Sequence, residues 1–331
     1  MLRGKTFAGL SVAVRWKGAE AARAKGYADL ESNAPAHVDT IYPIGSITKQ
    51  LTAAAVLRLA NDGLVQLDAL LSAYLPESPA AWRAVRVRHL LNHTSGIPSY
   101  TREAKEWQAV SARELAPAQL LSLVTSLPLD FEAGTKFKYS NTGYLLLGLV
   151  IERVAKQPYD AYLRQAVLAP AELEQTFACP ARRVVPRRAH GYELEGNVLV
   201  RARAFSLPNA FAAGDVCSTA SDLLRWQAAL WSGRVLAPAV VASMLTPARL
   251  GDGSLSNYGF GFGLATHRGH TVRFHGGHIY GYRSHLAHYP NDELTVAVLT
   301  NSDNGVAAQI ESAIAGELLG FDEPRPEMFF D

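Results

Sequence analysis

Residues 44–59 read IGSITKQLTAAAVLRL, and this stretch organises the rest of the chain. Leu51, Ala55 and Leu59 recur at helical spacing, and Asn61-Asp62-Gly63 supplies a stop, so the pattern predicts a helix over 47–60. Ser46 then falls where a loop meets the helix. Lys49 lies one turn further along, on the same face. That spacing brings an amine to a hydroxyl. A serine hydroxyl is a poor nucleophile without a nearby base, and a partly desolvated lysine can serve as one. The helix N-terminus adds positive potential and backbone N–H groups, which suit a developing oxyanion. The same pair also reads more simply, as a helix-capping serine and a solvated lysine, so the motif needs company.

Working outward, strand patterns occupy both ends of the chain and helices fill the middle. Residues 9–16 and 20–28 read as a hairpin around Lys17-Gly18. Met1, Arg3 and Lys5 before the short apolar stretch 7–14 faintly imitate a secretory leader, but the alternation of Val12, Val14 and Trp16 is that of a strand. From 64 to 205 the segments are mostly helical and broken by Pro and Gly; the clearest runs over 143–156. Residues 218–232 read as a helix with Ser218, Thr219 and Ser221 as candidate N-caps. Strands are expected at 258–265, 271–276, 281–289 and 294–300, with Pro290-Asn291-Asp292 as a turn, and a closing helix at 305–319. The expected fold is α/β (α+β): one antiparallel sheet built from both chain ends and flanked by helices, with a mainly helical insertion. The domain reading is 1–60 with 206–331 as the sheet domain, 61–205 as the helical domain, and the active site in the cleft between them.

The bulk numbers exclude several classes. At 331 residues, with 48% hydrophobic and 19% charged, the chain is globular and can bury a large core. A net charge of +2 from 32 basic and 30 acidic residues gives no reason to expect nucleic acid. The short basic run RRVVPRR (182–188) has no interleaved aromatics and reads as a solvated loop. No apolar run is long enough to span a membrane. Cys179 and Cys217 can form one bridge, but two separate thiols are the expectation. The protein is expected to be periplasmic or secreted if a leader was trimmed and cytoplasmic otherwise, and to be a monomer or weak homo-oligomer.

Two further motifs carry chemistry. In FKYSNTGYLLLGLVIERV (137–154), Tyr139 and Asn141 lie two apart, so an extended segment points both the same way. A tyrosine beside an ammonium can relay a proton, and an asparagine amide can bind a substrate carbonyl while holding a lysine. The simpler reading makes Asn141 a cap of the following helix. His275-Gly276-Gly277 ends a strand, and its glycines would let a substrate approach the backbone; an ordinary glycine turn is the simpler reading.

A metal site is the rival. Histidines are dense at His267, His270, His275, His278, His285 and His288, and His89 and His93 stand at the i, i+4 spacing that can hold zinc on a helix. No H-E-x-x-H or paired-cysteine signature accompanies them, and His285 and His288 face opposite sides of a strand. No metal and no cofactor are expected.

Taken together and in order, the three motifs resemble those of the serine β-lactamase and penicillin-binding-protein superfamily. They are most similar to the branch of class C β-lactamases, DD-peptidases, D-aminopeptidases and family VIII esterases. The resemblance extends through HLLNHTSGIPSY (89–100), AAGDVCSTASDLLRW (212–226), YGFGFGL (258–264) and FHGGHIYGYRSHLAHYPNDELTVAVLTNS (274–302). It implies a serine hydrolase with Ser46 as acylated nucleophile, Lys49 as its base, Tyr139 as proton shuttle and Asn141 as the substrate-amide and lysine-orienting residue. It further implies His275, Gly276 and Gly277 in substrate binding, and the backbone N–H groups of Ser46 and His278 as the oxyanion hole. One departure matters: many β-lactamases have K-T-G where this chain has His275-Gly276-Gly277. A lysine there anchors a substrate carboxylate, whereas an unperturbed histidine is mostly neutral near pH 7. The expected substrate is therefore a small-molecule or peptide ester or D-amino-acid amide with weak β-lactam turnover, the alternative being a true class C-like β-lactamase. Tyr100 and Trp107 are expected on the substrate groove.

Overall fold

The computed structural model describes residues 7–102 and 104–321. Met1, Arg3 and Lys5, the charged part of the leader-like pattern, lie outside the described residues.

Seven strands form one antiparallel sheet. From one edge the order is Ala34–Pro35, Ala19–Asp29, Gly9–Trp16, Leu294–Thr300, Tyr282–Tyr289, His270–Ile279 and Gly263–His267. The first hairpin turns at Lys17 and Gly18, both at positive φ (49° and 82°). The N- and C-terminal parts of the chain meet where Val12 sits opposite Val298. All seven residues of Leu294–Thr300 are buried, which marks it as the central strand. Period-two alternation sends Ala297, Leu299 and Leu286 to the larger core, shared with the helices. It sends Val296, Val298 and Ala287 to a second core, closed by Val306, Ala307, Ile310 and Ala315 of the helix Val306–Leu319.

The helix of the opening stretch runs Thr48–Asn61. The sequence suggests one apolar stripe, yet nearly all of its first three turns are buried, Lys49 and Gln50 included. It packs between the helix Asn141–Ala155 and the helix Ala220–Trp231. Gln50 Oε1 accepts from Trp226 Nε1 at 2.9 Å and Gln227 Nε2 at 3.0 Å, which keeps the buried amide oxygen bonded. Thr219 caps the Ala220–Trp231 helix by accepting from the Asp222 amide at 3.2 Å. Among the described residues, no helix is long and apolar enough to cross a membrane.

Three expectations are corrected. The strand expected at 258–265 is only Gly263–His267, because Gly259 to Gly261 turns across the helix Thr48–Asn61. Gly261 has φ +77°, and a Cβ there would stand 2.8 Å from the Lys49 carbonyl. The strand expected to stop at 276 continues to Ile279, so the glycine pair lies inside a strand. Cys179 and Cys217 form a disulfide, with Cα atoms 5.2 Å apart. They meet because Phe177–Ala178 and Val216–Ser218 are neighbours in a small three-stranded sheet with Tyr42–Pro43, a pairing between distant segments that spacing does not encode.

Candidate active site

Ser46 lies in a 3-10 turn, Gly45–Ile47, that leads into the helix Thr48–Asn61. Lys49 follows on the first helical turn and is fully buried. Its Nζ donates to Ser46 Oγ at 2.9 Å, to Asn141 Oδ1 at 2.8 Å and to the Ala213 carbonyl at 2.8 Å. The three acceptors fix Nζ against the hydroxyl. The same Nζ lies 4.8 Å from the centroid of the Tyr139 ring. The structure thus brings Ser46, Lys49, Tyr139 and Asn141 together, and Ser46, Tyr139 and Asn141 all line one open cleft of about 280 Å³.

Asn141 is the first residue of the helix Asn141–Ala155, with Ser140 in the N-cap position; Ser140 itself is extended (φ −144°, ψ 119°). The Asn141 amide is held on its other side. Nδ2 donates to Thr101 Oγ1 at 3.0 Å, and the backbone N–H donates to Ser99 Oγ at 3.1 Å. Its orientation leaves Oδ1 for Lys49. Ser99, Thr101 and the Ala213 carbonyl are the supporting groups that reading the motifs missed. The first two sit in or just after the stretch 89–100, and the third is backbone and leaves no sequence signal.

His93 does not share a helix face with His89. The helix there is Val87–Leu91, and His93 lies beyond it at φ 59°. Its Nδ1 accepts from the Ser140 amide at 3.2 Å, and its ring packs 4.2 Å from that of Tyr139. Burial first, then the Lys49 charge, hold His93 well below the usual histidine range, so the ring beside Tyr139 is neutral. His285 and His288 do face opposite sides: His285 meets Glu311 at 3.2 Å, while His288 stacks on Trp231. One group among the described residues, Asp29, Glu31 and His190, has donor atoms within 4.8 Å of one another. Tyr192 Oη already donates toward Asp29 and Glu31, and Arg201 lies 3.6 Å from Glu31.

His275 departs from its expected place. It is 1% exposed and off the cleft wall, with Nε2 at 2.8 Å from Tyr258 Oη and Nδ1 at 2.6 Å from the Gly276 carbonyl. Burial first, and Lys49 second, push it down to about 3. Gly276 and Gly277 are also off the wall. Gly277 is glycine for packing: a Cβ there would stand 2.1 Å from the Ile44 carbonyl and 2.2 Å from Ser284 Oγ. The contact draws the strand His270–Ile279 onto the turn that carries Ser46, and His278, which does line the cleft, arrives beside it. Tyr100 and Trp107 line the cleft as expected.

A hydroxyl held by a buried amine, with a phenol on the wall of the same cleft, is equipped for acyl transfer. The family model described as Beta-lactamase matches residues 2–319 of this chain. The chain belongs to the β-lactamase family. It is 27% identical over 321 residues to penicillin-binding protein 4* of Bacillus subtilis, covering 90% of this chain and 69% of that protein. It is 28% identical over 295 residues to the D-aminopeptidase of Gluconobacter oxydans, covering 87% of this chain but 54%, about half, of the relative's length. Among solved structures, a D-stereospecific amidohydrolase from Streptomyces superposes with a TM-score of 0.82 at 27% identity, covering 96% and 95% of the two chains. This β-lactamase-family chain is a serine hydrolase of the β-lactamase and penicillin-binding-protein type, on an α/β scaffold whose large antiparallel sheet is flanked by helices.

Proposed function

We propose that the protein hydrolyses an ester or a D-amino-acid amide or peptide through an acyl-enzyme on Ser46, with weak β-lactam turnover. The observation that carries the reading is the position of Lys49, 2.9 Å from Ser46 Oγ and tied to Asn141 and Ala213 in the same stroke. In acylation, Lys49 acts as the neutral amine: its Nζ takes the Ser46 proton as Oγ attacks the carbonyl, and Tyr139 relays that proton to the leaving group. The backbone N–H groups of Ser46 and His278 hold the oxyanion. Gly45 supports that role, since its lack of a side chain lets the Ser46 turn lie against the His278 amide. In deacylation, water attacks the ester, again with Tyr139 and Lys49 moving protons. Asn141 Nδ2 and Oδ1 are both engaged, so Asn141 positions Lys49 first and meets a substrate amide from the cleft side. The cleft draws on Ser46, Ala213, Gly214 and Tyr280 from 1–60 and 206–331, and on Tyr100, Trp107, Tyr139 and Asn141 from 61–205. This supports the division of the chain near 60 and 205 into a sheet domain and a mainly helical one.

The buried, neutral His275 counts against a β-lactam as preferred substrate, because it sets no cation where K-T-G would place one. The test is labelling by a fluorophosphonate, lost in Ser46→Ala, followed by a panel of p-nitrophenyl esters, D-amino-acid anilides, a D-Ala-D-Ala peptide and a chromogenic cephalosporin. Faster cleavage of the cephalosporin than of the rest would replace this reading with a true β-lactamase.

A further inference from the structure

The strand His270–Ile279 changes its surroundings part-way along. Its outer neighbour, Gly263–His267, pairs with it only as far as Phe274, which lies opposite Gly263. Beyond that point the strand continues beside Tyr282–Tyr289 and ends at a tight turn, where Gly281 has φ 82°. His278 sits in this last stretch, one residue before the strand ends, with its amide nitrogen against the Gly45 turn. A strand end beside a turn opens easily, whereas an oxyanion donor has to keep its place to within about 0.5 Å.

Asp303 supplies the anchor. It follows the central strand Leu294–Thr300, and its carboxylate has a partner on each oxygen. Oδ2 lies 2.8 Å from His278 Nε2, and Oδ1 accepts from Arg283 Nε at 2.8 Å. His278 and Arg283 face each other across the strand pair, so one carboxylate stitches the two strands at the register of the His278 amide. Burial alone would raise the Asp303 pKa, but its bond to His278 and the Arg283 guanidinium hold it below the ordinary carboxylate range. An ionised carboxylate only accepts, so Nε2 carries the proton and donates it. The anchor is itself fixed from outside the strand pair. The Asp303 amide donates to the Tyr192 carbonyl at 2.9 Å. Asn301 Nδ2 donates to the carbonyls of Tyr27 at 3.1 Å, Ala28 at 3.2 Å and His190 at 2.9 Å.

We propose that Asp303 is a positioning residue of the oxyanion hole: through His278 Nε2 and Arg283 it holds the His278 amide against the turn that carries Ser46. Asp303 is not on the cleft wall, so it acts through His278. This rests on the oxyanion role proposed for His278 and adds the group that keeps that amide in register.

The experiment compares an ester with its thionoester, in which C=S replaces the scissile C=O. Sulfur accepts hydrogen bonds poorly, so the ratio of single-turnover acylation rates, ester over thionoester, reads the oxyanion donors. The unaltered chain should prefer the ester. Asp303→Ala should slow acylation by the ester about tenfold, less than the loss of a whole donor, with KM little changed and the ratio reduced. His278→Phe keeps a ring and the backbone amide but lacks Nε2, and it should reduce the ratio in the same way. Asp303→Asn keeps an oxygen for Arg283 and an amide for the His278 ring, and it should recover most of the ratio. Fluorophosphonate labelling counts competent sites, so a variant that folds poorly lowers the count and leaves the ratio readable. A ratio equal to that of the unaltered chain in both Asp303→Ala and His278→Phe, even where both rates fall, overturns the proposal and leaves the Ser46 reading intact. No preference for the ester in the unaltered chain overturns the oxyanion role of His278. Absence of labelling at Ser46 overturns the reading beneath both.

Discussion

Gly45 and His278 touch backbone to backbone: a Cβ on Gly45 would stand 2.8 Å from the His278 amide nitrogen. The turn carrying Ser46 and the strand carrying His278 are therefore pressed together at the two amides proposed to bind the oxyanion. Gly45 also has φ +52°, which costs other residues about 1–2 kcal/mol. Gly45→Ala should move these amides apart and lower kcat by roughly a hundredfold or more, the cost of losing one oxyanion donor. Pre-steady-state acylation rates would check it, with circular dichroism confirming the fold. An unchanged acylation rate would remove His278 from the proposed hole.

Lys49 and Tyr139 test the proton path. Lys49→Ala removes the donor at Ser46 Oγ and should cut turnover by about a hundredfold or more; Tyr139→Phe should do the same while keeping the ring that packs on His93. Steady-state kinetics on any turned-over ester decides it. Near-normal rates in both variants would leave Ser46 without its base.

Much of this site is legible because it is local. Ser46 and Lys49 are joined by one helical turn, and Tyr139 and Asn141 by two residues of chain, so spacing alone proposes each pair. The strands are legible where side chains alternate with period two, as in Gly9–Trp16, whose Val12, Val14 and Trp16 all pack against the second core. What escapes reading is tertiary. The His275-Gly276-Gly277 segment looks like a strand end, since nothing in the chain announces that Ile44 and Ser284 will crowd Gly277. The Ala213 carbonyl that holds Lys49 carries no side chain to read. Ser99 and Thr101 look like loop polarity until the Asn141 amide is seen between them and Lys49. Phe205 and Tyr280 join Trp107 only once two remote segments meet.

His275 makes stability depend on pH. An unfolded histidine titrates near ~6.5, whereas burial lowers the folded value to about 3. Between those values the unfolded chain binds a proton that the folded chain refuses, so stability rises with pH across that window and is lost as pH falls from 6.5 toward 3. His288 and His89, both lowered to about 4 chiefly by burial, act in the same direction. Thermal melts from pH 7 to pH 4 should show a falling Tm, and His275→Gln should flatten the slope. An acid limb in kcat/KM between pH 5 and 7 should survive in His275→Gln, since this ring holds no proton there to lose. A limb that vanished would mean that the ring titrates in the cleft.

The Cys179–Cys217 bridge ties the segment after Phe177 to the strand Val216–Ser218, whose neighbour Tyr42–Pro43 leads directly into the Ser46 turn. Both cysteines are buried, at 3% and 0% exposure, so reagents should find no thiol in the folded chain whatever its redox state. The decisive measurement is made unfolded: thiol titration in denaturant should read none before reduction and two after it. Cross-linking across a 38-residue separation restricts the unfolded chain, by about 2–4 kcal/mol in typical cases. Cys217→Ala should accordingly lower the denaturation midpoint by more than a truncation of one sulfur atom would. Because Val216 also receives the Ile44 amide at 2.9 Å and donates to Thr48 Oγ1 at 3.2 Å, the loosened strand should slow Ser46 labelling as well. Two titratable thiols without reduction, together with an unmoved midpoint in Cys217→Ala, would show the sulfurs apart and the strand held by its hydrogen bonds alone.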